Sequence, residues 1–165
     1  MTFALRAPQL ADAPALAELH VSAWRETYSH LLPGDFFSAE YVEGRHRMWN
    51  RILTDPRTDV SIRVAESGGE ITGFACAGNG MRSKGEEELP RDRQLYAIYL
   101  AASHYGTGAG QSLLDEVLGD TPAMLWVAKA NPRAVAFYRR NGFEFDGAEQ
   151  SDPAAPKIVD ARMVR

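Results

Sequence analysis

The chain has 165 residues, 45% of them hydrophobic and 24% charged, with a formal net charge of −4. That size and composition fit one folded domain with a full core and exclude a disordered or fibrous chain. The weakly acidic balance disfavours general nucleic-acid binding, no stretch approaches the ~20 apolar residues of a membrane span, and the single cysteine, Cys76, excludes an internal disulfide.

The N-terminal segment is broken by Arg6, Gln9, Asp12 and Glu18. It lacks the apolar run of a secretory signal, so a cytoplasmic location is expected. Thr2 to Ala7 alternates and predicts an edge strand. Asp12 is a suitable N-cap for a helix over Ala13 to Tyr28, with Leu16, Leu19, His20, Ala23 and Trp24 near one face. Leu31 to Asp35 (LLPGD) breaks that pattern, and a second helix is expected over Phe36 to Thr54. Its charges (Glu40, Glu43, Arg45, Arg47, Arg51) form a solvated face.

The period then changes to that of strands. Val60 to Ala65 and Ile71 to Gly78 flank the hairpin turn Ser67 to Glu70 (SGGE). Cys76 falls in this apolar run and reads as a small core residue. Gly80 to Arg93 is polar and reads as a loop. Gln94 to Ala101 (QLYAIYLA) is apolar almost throughout, which predicts a central strand. A helix is expected from about Gly110 to Leu118 and a buried strand over Ala123 to Lys129. Asn131 and Pro132 open the last helix as N-cap and first helical residue, and Asn141-Gly142 closes it. Phe143 to Gln150 and Lys157 to Val164 are closing strands. The expected architecture is a single α/β domain over residues 1–165, with a mixed sheet of about six or seven strands and about four helices.

Ser103 to Leu118 (SHYGTGAGQSLLDEVL) sets three glycines directly before a helix. A helix N-terminus carries unpaired N–H groups and partial positive charge, so such a turn suits a phosphate. No Lys-Ser or Lys-Thr follows, which removes the P-loop reading. The third position of G-x-G-x-x-G is Gln111 or Leu113, which weakens the dinucleotide reading. A plain turn without a ligand stays open on this stretch alone.

Ile98 to Leu114 resembles motif A of the GNAT superfamily of N-acetyltransferases: a strand, a linker, the glycine turn and a helix. Leu125 to Phe145 resembles the family's motif B, with Asn131, Ala134, Phe137, Tyr138, Gly142 and Phe143 in the family's places. The resemblance extends over essentially the whole chain. It implies acetyl-CoA as cosubstrate. Backbone groups of Ile98, Tyr99 and Leu100 would pair with the pantetheine arm, and the N–H groups of Tyr105, Gly106, Thr107, Gly108, Ala109 and Gly110 would cradle the pyrophosphate. Asn131 would lie against the pantetheine, and Tyr138 would protonate the departing thiolate. Tyr105 stands where the family has Arg or Gln, so a basic side chain is missing from the turn.

The implied reaction is acetyl transfer to a primary amine by direct attack, the acceptor being a small molecule. No activated Cys or Ser is visible, and His20, His30, His46 and His104 show no metal-ligand spacing. Glu87, Glu88 and Gln94 are poor candidates for a base. Trp24 and Tyr28 lie four apart and share a helix face, as core packing or as an aromatic wall of the acceptor site. Tyr96 and Tyr99 differ in strand parity, so one of them is expected to face the acceptor. Aromatic residues near an acidic loop would suit a cationic amine. Family members are often dimeric, which makes a homodimer an open expectation. Two other readings also stay open: a non-catalytic acyl-CoA-binding module, and an acetyltransferase acting on peptide N-termini.

Overall fold

The computed structural model describes residues 2–165. Seven strands form one sheet: β1 (Ala4–Arg6), β2 (Ser61–Ser67), β3 (Glu70–Asn79), β4 (Arg93–Leu100), β5 (Met124–Ala128), β6 (Glu144–Gln150) and β7 (Asp160–Val164). The helices are α1 (Ala13–Tyr28), α2 (Ala39–Thr54), α3 (Ala109–Leu118) and α4 (Pro132–Arg140). The sheet order is β1-β2-β3-β4-β5-β7-β6, so β4 is the middle strand. All neighbours run antiparallel except β4 and β5. The expected mixed α/β sheet is what forms.

Local chemistry sets most of the ends. Gly68 and Gly69 both have positive φ (61° and 83°), the conformation a two-residue hairpin needs between β2 and β3. The Asn131 carboxamide accepts from Ala134 N at 3.1 Å and starts α4, as expected. Two starts differ from the sequence reading. Asp12 does not cap α1; it ends a short 3-10 turn and is bound by Arg6 (2.7 Å) and by Gln9 N (2.7 Å). Helix α2 begins at Ala39 rather than Phe36, because the Ser38 hydroxyl accepts from Tyr41 N and outcompetes the preceding turn.

Two cores lie on opposite faces of the sheet. On one, α1 and α2 bury Leu16, Ala17 and Trp49 against Val64 and Phe74. On the other, α3 buries Leu113, Leu114 and Val117 against Leu95, Leu125 and Met163, and α4 adds Tyr138. Trp49 and Phe74 pack edge to face, centroids 4.8 Å apart; truncating a buried aromatic of this kind to alanine costs roughly 3–5 kcal/mol. A third cluster (Tyr28, Ala128, Ala155, Ile158) closes the α1 side over the ends of β5 and β7.

Candidate active site

Strands β4 and β5 pair only at Gln94–Met124 and Leu95–Leu125. Beyond that point they part, and the gap is a cavity of about 510 Å³. This is the size range of small-molecule and cofactor sites. The parting also explains why β4 is only half-buried from Tyr96 to Leu100 although it sits mid-sheet: one edge faces the opening instead of a neighbour.

The free edge can be assigned. In an antiparallel ladder, successive residues point their backbone groups alternately to the partner and away. Ala101 N donates to Thr72 O at 2.8 Å, so Leu100 and Ile98 point away from β3 and into the gap. Tyr99 turns its backbone to β3 and brings only its side chain to the cavity.

The glycine turn closes one end. Gly106 and Gly108 have φ of 75° and 88°, and a side chain there would be strained. Gly110 has ordinary φ, but a Cβ would meet Leu100 Cδ1 at 3.2 Å. The N–H groups of Gly106, Gly108 and Gly110 have no acceptor among the described residues, at the positive end of α3. Those three glycines line the cavity, and so does Tyr105, but its N–H, expected in the cradle, is taken by Ala102 O at 3.2 Å. Thr107 and Ala109, also expected in the cradle, do not line the cavity. The Thr107 hydroxyl donates to His104 O at 2.8 Å and steadies the turn, while Ala109 is buried in the α3 core. Bare amides converging on a cavity, with side chains excluded by geometry, fit a diphosphate.

The missing basic side chain has a counterpart that the sequence reading did not find. The Arg133 guanidinium, from the first turn of α4, lies over the Tyr105 ring at 3.3 Å from its centroid. Both line the cavity. The turn therefore does carry a cation, delivered from another helix and seated on the tyrosine that replaced the usual residue.

Tyr138 and Asn131 border the middle of the cavity. The Tyr138 ring packs between Phe137 and Phe143, and its hydroxyl has no partner among the described residues. No fully shielded side-chain polar atom among the described residues lacks a partner, so this hydroxyl opens onto the cavity. Burial raises the phenol above its ordinary value and keeps it protonated at neutral pH. Besides capping α4, Asn131 donates to the Tyr28 hydroxyl at 3.3 Å.

The far end is aromatic. Trp24 and Tyr28 have ring centroids 5.0 Å apart, and Trp24 Nε1 donates to the Tyr99 hydroxyl at 2.9 Å. Both line the cavity, as do Tyr96 and Trp126. The parity argument for Tyr96 and Tyr99 is overturned. Cys76 pairs with Ala97 and Ala77 with Leu95, which leaves Tyr96 as the extra residue of a β-bulge. Tyr96, Ala97 and Tyr99 consequently all pack on the α1 face.

The acidic loop does not reach the site. Glu86 is held by Arg162 and by Ser83 N (3.0 Å), and Glu87 and Glu88 are exposed outside the cavity. Gln94 is buried and accepts from Met81 N at 2.8 Å, a structural task. His20 is buried beside Trp49, Phe74 and Tyr99 rather than in the site. Cys76 is buried and its thiol is pushed up to about 12. The carboxylate that does line the cavity is Asp160, at the start of β7.

Residues 14–143 match the profile of the acetyltransferase (GNAT) family. The chain is 34% identical over 143 residues to the uncharacterized N-acetyltransferase YuaI of Bacillus subtilis, covering 82% of this chain and 76% of that one. It is 31% identical over 168 residues to an uncharacterized N-acetyltransferase of Mycobacterium bovis, covering 98% and 92%. Among solved structures, the fold matches the PaiA N-acetyltransferase of Thermoplasma acidophilum in complex with coenzyme A, with a TM-score of 0.72, 17% identity and 98% of each chain covered.

Proposed function

The chain belongs to the GNAT family of acetyltransferases, and from that premise we propose that it moves the acetyl group of acetyl-CoA to the nitrogen of a small primary amine by direct attack. One observation carries the reading: a single cavity joins bare amides, a free strand edge and an unpartnered phenol. The thioester supplies an activated acyl carbon and a thiolate leaving group.

The residues divide the work. The N–H groups of Gly106, Gly108 and Gly110 hold the diphosphate, with the Arg133 guanidinium beside them. Backbone groups of Ile98 and Leu100 pair with the amides of the pantetheine arm as a neighbouring strand would. Asn131 narrows the channel where the arm passes α4. Tyr138 donates to the sulfur as the carbon–sulfur bond breaks, and the proton shed by the attacking nitrogen returns to the phenolate directly or through water. No cysteine or serine is among the described residues that line the cavity, which favours attack by the amine itself over an acyl-enzyme.

Calorimetric titration tests this directly. Acetyl-CoA and coenzyme A should bind at micromolar concentration and adenosine diphosphate much more weakly, because the strand edge contributes only through the pantetheine arm. Thiol release should then depend on added amine. Equal affinity for adenosine diphosphate and coenzyme A would overturn the assignment of the strand edge.

A further inference from the structure

The cavity is electrostatically divided. Arg133 and Arg140 border it on the α4 side, whereas Asp160 is the one acidic side chain among the described residues that line it. Side chains alternate along a strand. Met163 points into the α3 core, so Asp160, three residues earlier on β7, points to the opposite face. That is the face of α1, where Trp24 and Tyr28 stand, and Trp126 lines the same cavity from β5. Asp160 pairs in the ladder with Ala128, whose side chain belongs to the cluster around Tyr28.

Its carboxylate has no hydrogen bond or ion pair among the described residues, and it is not a fully shielded orphan either. It is half-buried and faces open space. A carboxylate taken partly out of water and given no partner is a cost to the fold. Such a cost is informative at a site, because a cationic guest would supply the partner.

We propose that Asp160 receives the ammonium group of the acceptor, which passes one proton to solvent before it attacks, and that the acceptor is a compact arylalkyl monoamine. The inference rests on the acetyltransferase reading and names the substrate class of that site. Asp160 is the one carboxylate among the described residues that line the cavity and matches one positive charge there; the further charges of a polyamine would have to reach Asp152, which acts on Asp160 from outside the lining. A zwitterionic amino acid would set its own carboxylate against Asp160. Trp24 and Tyr28 supply aromatic surface for an apolar body and π-faces for the cation, and Trp126, whose ring already carries the Arg162 guanidinium at 5.5 Å, adds apolar wall. Asp160 is thus a specificity residue that sequence reading passed over.

The test compares the wild type with Asp160→Asn, which keeps shape and removes charge. The probes are 2-phenylethylamine, spermidine and glycine, followed by thiol release, with acetyl-CoA affinity from calorimetry and thermal stability at neutral pH. The wild type should turn over 2-phenylethylamine in preference to the other two. The variant should raise its KM by at least ~10-fold, the usual scale for losing a charged hydrogen-bond partner. Acetyl-CoA affinity should stay within about twofold, since Asp160 belongs to β7, opposite Ala128 of the Tyr28 cluster, and not to the glycine turn. The variant should also melt at a higher temperature than the wild type, because an unpartnered charge has been removed. A structural role predicts the reverse stability change. An unchanged KM, a lower melting temperature, a preference for spermidine or glycine, or no turnover of any probe by a protein that binds acetyl-CoA would overturn the proposal. Failure of the wild type to bind acetyl-CoA would overturn the acetyltransferase reading beneath it.

Discussion

Replacing Tyr138 with Phe isolates one proton. The ring keeps its contacts with Phe137 and Phe143, at 5.5 and 6.0 Å between centroids, and no protein group loses a hydrogen bond. Stability should therefore change by less than about 0.5 kcal/mol. A positioned general acid contributes roughly 10²–10⁴-fold. Burial raises the Tyr138 phenol, so it holds its proton more tightly than an ideal acid would, and the low end of that range applies. A fall in kcat of about 100-fold is expected, worth about 2.7 kcal/mol of transition-state stabilisation. The assay is thiol release at saturating acetyl-CoA and amine, with KM for acetyl-CoA holding within about twofold. A kcat within threefold of wild type, in a variant of unchanged melting temperature, would refute the role of the phenol. A fall in kcat matched by a loss of acetyl-CoA binding would refute it too, since the hydroxyl would then be a binding group.

Arg133→Ala should weaken coenzyme A by about 3- to 10-fold and leave kcat unchanged, with the loss shrinking at high salt; calorimetry in two salt concentrations checks it. Gly108→Ala should destabilise the fold by about 1–2 kcal/mol, since a side chain must adopt φ near 88°, and chemical denaturation measures this. His20 predicts acid sensitivity. Burial, with a smaller contribution from Arg45, lowers its pKa from 6.5 to about 4. The unfolded chain therefore binds the extra proton first, so the stability held by neutral His20 is complete above about pH 6.5 and is lost progressively as pH falls toward 4. The loss across that window is on the order of 3 kcal/mol from this residue alone. Denaturant midpoints at pH 7.5 and pH 5 that coincide would contradict it.

The helices and strands were legible in order because each has a local signature. The period change at Val60, the Gly68-Gly69 turn, and Asn131-Pro132 are all contained in a few residues. Ends were less legible where two local devices compete, as at Asp12, whose carboxylate is drawn to Arg6. The same division runs through the site. The glycine turn and Tyr138 lie in contiguous stretches and could be read. Asp160, Trp126 and Arg133 reach the cavity through strand order and helix placement, which no short window encodes. The bulge at Tyr96 was hidden for a different reason. QLYAIYLA is apolar on both faces, so an inserted residue leaves no break in the alternation.

The three tryptophans give the molecule a built-in optical readout. Trp24 and Trp126 border the cavity, one on α1 and one on β5, while Trp49 is sealed at 1% exposure behind Phe74. Ligand entry changes the polarity around two indoles and leaves the third in constant surroundings. Emission intensity then follows occupancy against a fixed internal reference. With Trp126→Phe, the remaining variable signal belongs to Trp24 and the amine end; with Trp24→Phe, it belongs to the β5 wall. Occupancy of the cavity can be followed without a label, a coupled reaction or turnover.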